Sequence, residues 1–153
     1  MDERRNIKLI IEFKGTDFHG YQFQNGLRTV EGCLKKALRT MTGEDAVVYS
    51  SSRTDGGVHA LNMPVNFRTC SKVHLYGMML GLNSLLPRDL KIKNISEADG
   101  GFHARHDAVE KTYLYKVFNF MAPSPVLSDY SWHIRSPLNL AGMRRAAKYL
   151  IGG

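Results

Sequence analysis

The chain has 153 residues and a formal net charge of +7, with 43% hydrophobic and 10% aromatic residues. These values predict a globular domain with its own core rather than a disordered chain, and no apolar run approaches the roughly 20 residues of a membrane span. The basic excess favours a polyanionic partner, and two cysteines without CxxC spacing argue against a disulfide framework or a cysteine-based zinc site. The opening MDERRNIKL lacks the apolar segment of a secretory signal, so we expect a cytoplasmic protein by default, with nucleus and mitochondrion as alternatives.

The first half of the chain alternates between strand and helix patterns. Residues 6–13 (NIKLIIEF) are apolar at every second position and predict a half-buried strand. A glycine-punctuated loop follows, and then a helix is predicted from the N-cap Thr29 to a stop at Gly43. Residues 46–52 and 61–69 predict two strands joined by the segment SSRTDGGVHA, and Pro64 predicts that the second strand lies at an edge or carries a bulge.

The second half continues the same alternation. A helix is predicted at 71–87, capped by Ser71 and stopped before Pro87. Strands are predicted at 89–96 and 108–120, and a basic amphipathic helix at 137–153. The resulting order, β-α-β-β-α-β-β-α, predicts the α+β class, with a mixed, largely antiparallel sheet and helices on one face.

The charged pair in the joining segment is the first candidate site. Arg53 and Asp55 are two residues apart, so in extended backbone they share a face, and the guanidinium could keep the carboxylate ionised. Gly56 and Gly57 would let another molecule approach the backbone closely. The alternative is a turn carboxylate that only bonds to the neighbouring backbone.

Aromatic residues give two further candidates. In the loop FHGYQFQ, Phe18, Tyr21 and Phe23 either cap the core or form a surface that stacks on RNA bases. Tyr113 shares a predicted strand face with Tyr115 and is either a core residue or a stacking ring.

Metal and nucleotide cofactors are not predicted. Asp55 has no neighbouring carboxylates in the sequence, and His103 and His106 in FHARH lack a third ligand. No Walker loop or GxGxxG is present.

Together the motifs resemble one known family. SSRTDGGVHAL is similar to the catalytic motif of the tRNA pseudouridine synthase A family, usually RTDAGVHA. FKGTDFHGYQFQ, TVEGCLKKAL, LNSLLPRDLKI and FHARHDAVEKTYLYKVFN resemble further segments of that family, in the same order and at similar spacing. The resemblance implies a pseudouridine synthase fold of ferredoxin-like topology and an isomerase that needs no cofactor or metal.

The resemblance also assigns roles to four residues. Asp55 matches the catalytic aspartate, and Arg53 matches the arginine that pairs with it. Tyr113 matches the tyrosine that stacks on the target base, and Arg105 matches an arginine that grips or flips the nucleotide. The implied substrate is a uridine in structured RNA, typically in the anticodon stem-loop region of tRNA.

Three features depart from the family pattern. Gly56 replaces a usual alanine, Tyr21 replaces a common tryptophan, and the sequence lacks the second, similar half that forms the other wall of the cleft. We therefore expect residues 1–153 to form one α+β domain, with 137–153 starting the connection to that half, and either a homodimer or this missing half as partner. The alternative is a non-catalytic RNA-binding module or a fragment that retains the motif.

Overall fold

The computed structural model describes residues 4–152, which divide into two compact units, one ending at Glu110 and one starting at Lys111. The assignment of residues 1–153 to one domain, with 137–153 leading to a second half, stays a prediction. Within residues 4–152 no helix is both long and apolar enough to cross a lipid bilayer.

The first unit is an α+β sandwich of two layers. Its elements are β1 (Arg5–Phe13), α1 (Val30–Thr42), β2 (Val48–Ser50), β3 (Ala60–Thr69), α2 (Leu75–Leu85) and β4 (Leu90–Ala98). The strands form an antiparallel sheet in the order β2-β3-β1-β4. A βαββαβ chain with this strand order has ferredoxin-like topology, which confirms the predicted fold class.

One face of the sheet carries the core. Ile7, Leu9 and Ile11 of β1 are fully buried, and they join a cluster that includes Leu34 of α1 and Met78 of α2. Because α1 and α2 also contact each other, both helices cover this face. The opposite face of the sheet carries several of the alternating polar residues, and Asn6 and Asn66 among them bond to the loop at 99–107.

The first helix begins and ends as predicted. Thr29 accepts a hydrogen bond from Gly32 N, and Gly43 adopts a left-handed conformation with φ of 75°. The second helix begins later than predicted, because His74 rather than Ser71 is its N-cap. It ends at Leu85, since Leu86 must be extended before Pro87.

Pro64 predicted that this strand either lies at an edge or carries a bulge. The edge position is wrong, because β3 lies between β2 and β1. The other alternative agrees with the pairing of β3 and β1, whose register shifts between Ala60 and Met63, where β3 has one residue more than β1. Ser51 N donates to Pro64 O, but Pro64 has no N–H to return the bond. The pairing of β2 with β3 therefore ends at Ser50. A proline is tolerated in this interior strand because the N–H that Pro64 lacks would face β2 at the point where β2 ends.

The second unit contains β5 (Val117–Asn119), β6 (Trp132–Ile134) and α3 (Leu140–Ala147). β5 and β6 pair in parallel. Of the strand predicted at 108–120, only Val117–Asn119 forms, since 108–116 have no ladder partner among the described residues. Tyr113 and Tyr115 are 68% and 87% exposed, so neither is a core residue here.

Candidate active site

A tight turn between β2 and β3 presents Asp55. Val58 N donates to Asp55 O at 3.3 Å, and Gly57 takes a φ of 81° that favours glycine. The side chains of Arg53 and Asp55 are both exposed. No ion pair joins these two described residues, so the sequence prediction that Arg53 pairs with the carboxylate stays a prediction.

The turn is held by a second loop, between β1 and α1, through backbone hydrogen bonds. Tyr21 N donates to Thr54 O at 2.9 Å, on the residue immediately before Asp55. Gly57 N donates to Phe18 O at 3.3 Å. These bonds flank Asp55 on both sides and fix the path of the backbone that carries it.

Two glycines of the second loop allow this close approach. A Cβ on Gly15 would lie 2.0 Å from Val58 O, and one on Gly20 would lie 2.8 Å from Thr54 O. Both distances are shorter than carbon and oxygen tolerate. Gly20 also has a φ of 87°, so any other residue would be strained there. Gly15 and Gly20 therefore serve the contact with the Asp55 turn.

An ion pair anchors the second loop to Asp89, the residue immediately before β4. The Arg28 guanidinium donates to both carboxylate oxygens of Asp89, at 3.0 and 2.7 Å. This hydrogen bond lowers the pKa of Asp89 and raises the pKa of Arg28 from their usual values. Arg28 also lies over the Phe18 ring, 4.0 Å from its centroid, and Lys14 N donates to Asp89 O. The pair thus connects both ends of the loop.

Two of the loop aromatics cap the core. Phe18 and Tyr21 are 3% and 2% exposed, which excludes them as RNA-stacking surfaces, whereas Phe23 is 52% exposed. The Tyr21 hydroxyl and Thr54 Oγ1 are buried and have no hydrogen-bond partner within residues 4–152. Burial raises the pKa of Tyr21 well above its usual value, an effect that the nearby Ser50 hydroxyl opposes.

Arg105 lies on a separate loop after β4, residues 99–107. Its side chain is exposed, and its backbone N donates to Nδ1 of His103 at 3.2 Å. The His103 ring lies 4.4 Å from the Tyr49 ring of β2, centroid to centroid. Because β2 leads directly into the Asp55 turn, this contact brings the Arg105 loop to the same edge of the sheet.

Tyr113 belongs to the second unit, where its side chain is exposed. The roles assigned to Asp55, Arg53, Arg105 and Tyr113 stay predictions. No cluster of three or more potential metal ligands occurs among residues 4–152.

Sequence reasoning missed the residues that hold the two loops. The Arg28–Asp89 pair joins positions 61 residues apart, a separation at which no local pattern operates. Asn6 and Asn66, both buried in strands, hold the Arg105 loop. Asparagine is disfavoured in strands, and this was the signal available in the sequence.

Comparison with known proteins gives consistent matches across the chain. The sequence is 40% identical over 148 residues to tRNA pseudouridine synthase A of Thermoanaerobacter sp. strain X514, covering 97% of this chain and 61% of that protein. Proteins of the same name from Caldicellulosiruptor saccharolyticus and Clostridium botulinum strain Alaska E43 are 41% and 44% identical, with the same coverage. No family model matches the sequence.

The chain therefore spans about three fifths of the length of the curated relatives it matches. These matches confirm the resemblance to the tRNA pseudouridine synthase A family that the motifs indicate.

Proposed function

We propose that this chain is the aspartate-bearing part of a tRNA pseudouridine synthase, an isomerase that converts uridine to pseudouridine in tRNA. The observation that carries the proposal is the exposed Asp55, held on a turn by hydrogen bonds on either side. The similarity to proteins named tRNA pseudouridine synthase A over 97% of the chain supports the substrate class and favours this function over a non-catalytic RNA-binding module.

The proposed reaction requires a nucleophile at Asp55. Uridine must break its bond between N1 and the ribose, rotate its base, and form a new bond from C5 to the same ribose carbon. An ionised carboxylate can start this by attacking the anomeric carbon or C6 of uracil. When the new bond closes, the bond to the carboxylate breaks and Asp55 is released. C5 then loses its proton to a base or to water, and N1 takes up a proton in place of its bond to ribose. The isomerisation therefore consumes no cofactor and adds no atom.

Arg53 and Tyr113 have supporting roles in this proposal. A carboxylate in a pocket from which RNA excludes water tends to protonate, and the cation of Arg53 would oppose that tendency. The exposed ring of Tyr113 would stack on the detached uracil while it rotates, a contact worth about 1–3 kcal/mol per base. The target uridine must leave the RNA stack first, and Arg105 would hold the displaced nucleotide.

A tritium-release assay tests the proposal. In tRNA labelled with tritium at C5 of uridine, isomerisation releases the label, because C5 becomes the carbon bound to ribose. We expect release by the complete natural form of the protein and none by Asp55→Asn, whose amide is nearly the same shape but is not a nucleophile. Gly56→Ala is the control in the same turn. Release by Asp55→Asn within tenfold of the parent would refute the nucleophile.

The proposed partners are tRNA and a second protein surface, from a further half of the kind the resemblance implies or from a second copy in a homodimer. The greater length of the relatives supports this, as do the exposed Trp132, Leu140 and Met143 in the second unit. We expect residues 1–153 alone to bind tRNA weakly and to isomerise little of it, because a base-flipping cleft needs two walls to exclude water. We propose a cytoplasmic location, which fractionation would test.

A further inference from the structure

A pair of buried asparagines on the sheet bonds to the backbone of the loop that carries Arg105. Asn66 of β3 and Asn6 of β1 are 2% and 3% exposed, on the face opposite the helices. Asn66 Nδ2 donates to Asn6 Oδ1 at 2.9 Å, so the two amides form one unit. Burying two amides in a sheet is unfavourable unless their hydrogen bonds are satisfied.

The remaining bonds of the pair go to the loop backbone. Asn66 Oδ1 accepts from Ala104 N at 2.8 Å, one residue before Arg105. Asn6 Nδ2 donates to Asp99 O at 2.7 Å and to Phe102 O at 2.9 Å. The amide pair therefore binds the loop at its start, its middle and the position next to Arg105.

Other contacts hold the same loop from the same strands. Arg68 Nη2 donates to Gly100 O at 2.6 Å, and Lys8 Nζ lies 4.9 Å from the centroid of the Phe102 ring. These contacts come from long side chains on the sheet. The asparagines are the short, buried members of the set, and a hydrogen bond joins their two amides.

We infer that Asn6 and Asn66 are positioning residues, which set the backbone at Ala104 so that Arg105 meets the RNA in one orientation. This inference rests on the proposed function, because it takes the partner of Arg105 to be an RNA phosphate or nucleotide. An asparagine pair suits the task, since each amide offers a donor and an acceptor in fixed geometry without introducing a charge.

The first readout is hydrogen exchange, which does not depend on RNA. In the parent chain the amide of Ala104 should be protected, and Asn66→Ala should remove that protection while amides of β1 and β4 stay protected. Asn83→Ala is the matched control, because Asn83 also makes two backbone bonds, to Ile92, at 2.9 and 2.8 Å, but joins α2 to β4. Unchanged protection at Ala104 in folded Asn66→Ala would overturn the inference.

The second readout is tRNA affinity in a double-mutant cycle. Arg105→Ala should reduce affinity severalfold and lower the slope of log K against log salt by about 0.9, as expected for one lost phosphate contact. Asn66→Ala should reduce affinity severalfold alone, but by less than about twofold in the Arg105→Ala background, because both changes remove the same contact. A purely structural role would give equal effects in both backgrounds, and so would overturn the inference.

Asn6→Ala provides a second route if Asn66→Ala does not fold, since residue 6 lies near the start of β1. Asn6→Ala should remove the hydrogen bonds to Asp99 O and Phe102 O. Its effect on tRNA affinity should likewise be smaller in the Arg105→Ala background than in the parent. Full affinity in Arg105→Ala would overturn this inference while leaving the proposed function intact. If instead the double-mutant cycle gives the expected coupling between Asn66 and Arg105 but tritium release does not depend on Asp55, the proposed function fails and the positioning of Arg105 stands.

Discussion

Substituting Gly20 by alanine should destabilise the protein through the turn that carries Asp55. Placing a Cβ at a φ of 87° costs about 1–2 kcal/mol in itself. That Cβ would also lie 2.8 Å from Thr54 O, so the backbone at Thr54 must move and the 2.9 Å bond from Tyr21 N must lengthen or break. Loss of this bond adds about 0.5–1.5 kcal/mol.

Gly26→Ala separates the two contributions. Gly26 lies in the same loop with a φ of 75°, but a Cβ there would meet no atom of residues 4–152 within 4 Å. Urea unfolding followed by far-ultraviolet circular dichroism should give Gly20→Ala a larger loss of unfolding free energy, by about 1 kcal/mol. Equal losses within about 0.3 kcal/mol would refute the claim that the loop contact holds the turn.

Three further predictions use the same structure. Gly56→Ala should be neutral or raise the free energy of unfolding by about 0.4–1 kcal/mol in the same urea assay. The reason is that its Cβ would lie at an ordinary 3.6 Å from Phe18 O and that the φ of Gly56 is not positive. A clear loss of unfolding free energy would contradict this. Because Arg28 lowers the pKa of Asp89, the pair stabilises the fold above the usual aspartate pKa of 3.8, and this contribution is lost as pH falls below that value. The stability advantage of the parent over Asp89→Asn should therefore shrink between pH 5 and pH 3 in thermal unfolding, and a constant advantage would contradict the assignment. The affinity for tRNA should fall with salt, by about fortyfold between 50 and 200 mM if three phosphates are neutralised, whereas salt-independent binding would exclude an electrostatic interface.

The elements that could be predicted from the sequence are those set by local chemistry. The alternation of Ile7, Leu9 and Ile11 predicted β1 because a sheet with one buried face imposes a period of two. Thr29 predicted the start of α1 because its hydroxyl can satisfy a free backbone N–H. Most of the strand predicted at 108–120 does not form, and only Val117–Asn119 pairs, because a strand also needs a partner and local sequence does not specify one.

For the candidate site too, the residues in one local motif could be predicted from the sequence, whereas the long-range contacts could not. Asp55 and Arg53 became candidates because they lie two residues apart in the sequence and match a known motif, and their roles stay predictions. The contacts that hold the site were not found, because the bond from Tyr21 N to Thr54 O and the Asn6–Asn66 pair join residues that only the folded sheet brings together. The buried asparagines were visible as polar residues within strand patterns, but their partners were not.

Mapping pseudouridines in cellular tRNA tests the central claim most directly. The codon for Asp55 would be changed to Asn in the natural gene, so that the protein is made at its natural length, with a Gly56→Ala strain as the matched control. We predict that one or more pseudouridines disappear from tRNA in the Asp55→Asn strain and remain in the control, with equal protein levels in both. An unchanged pseudouridine map in the Asp55→Asn strain would contradict it.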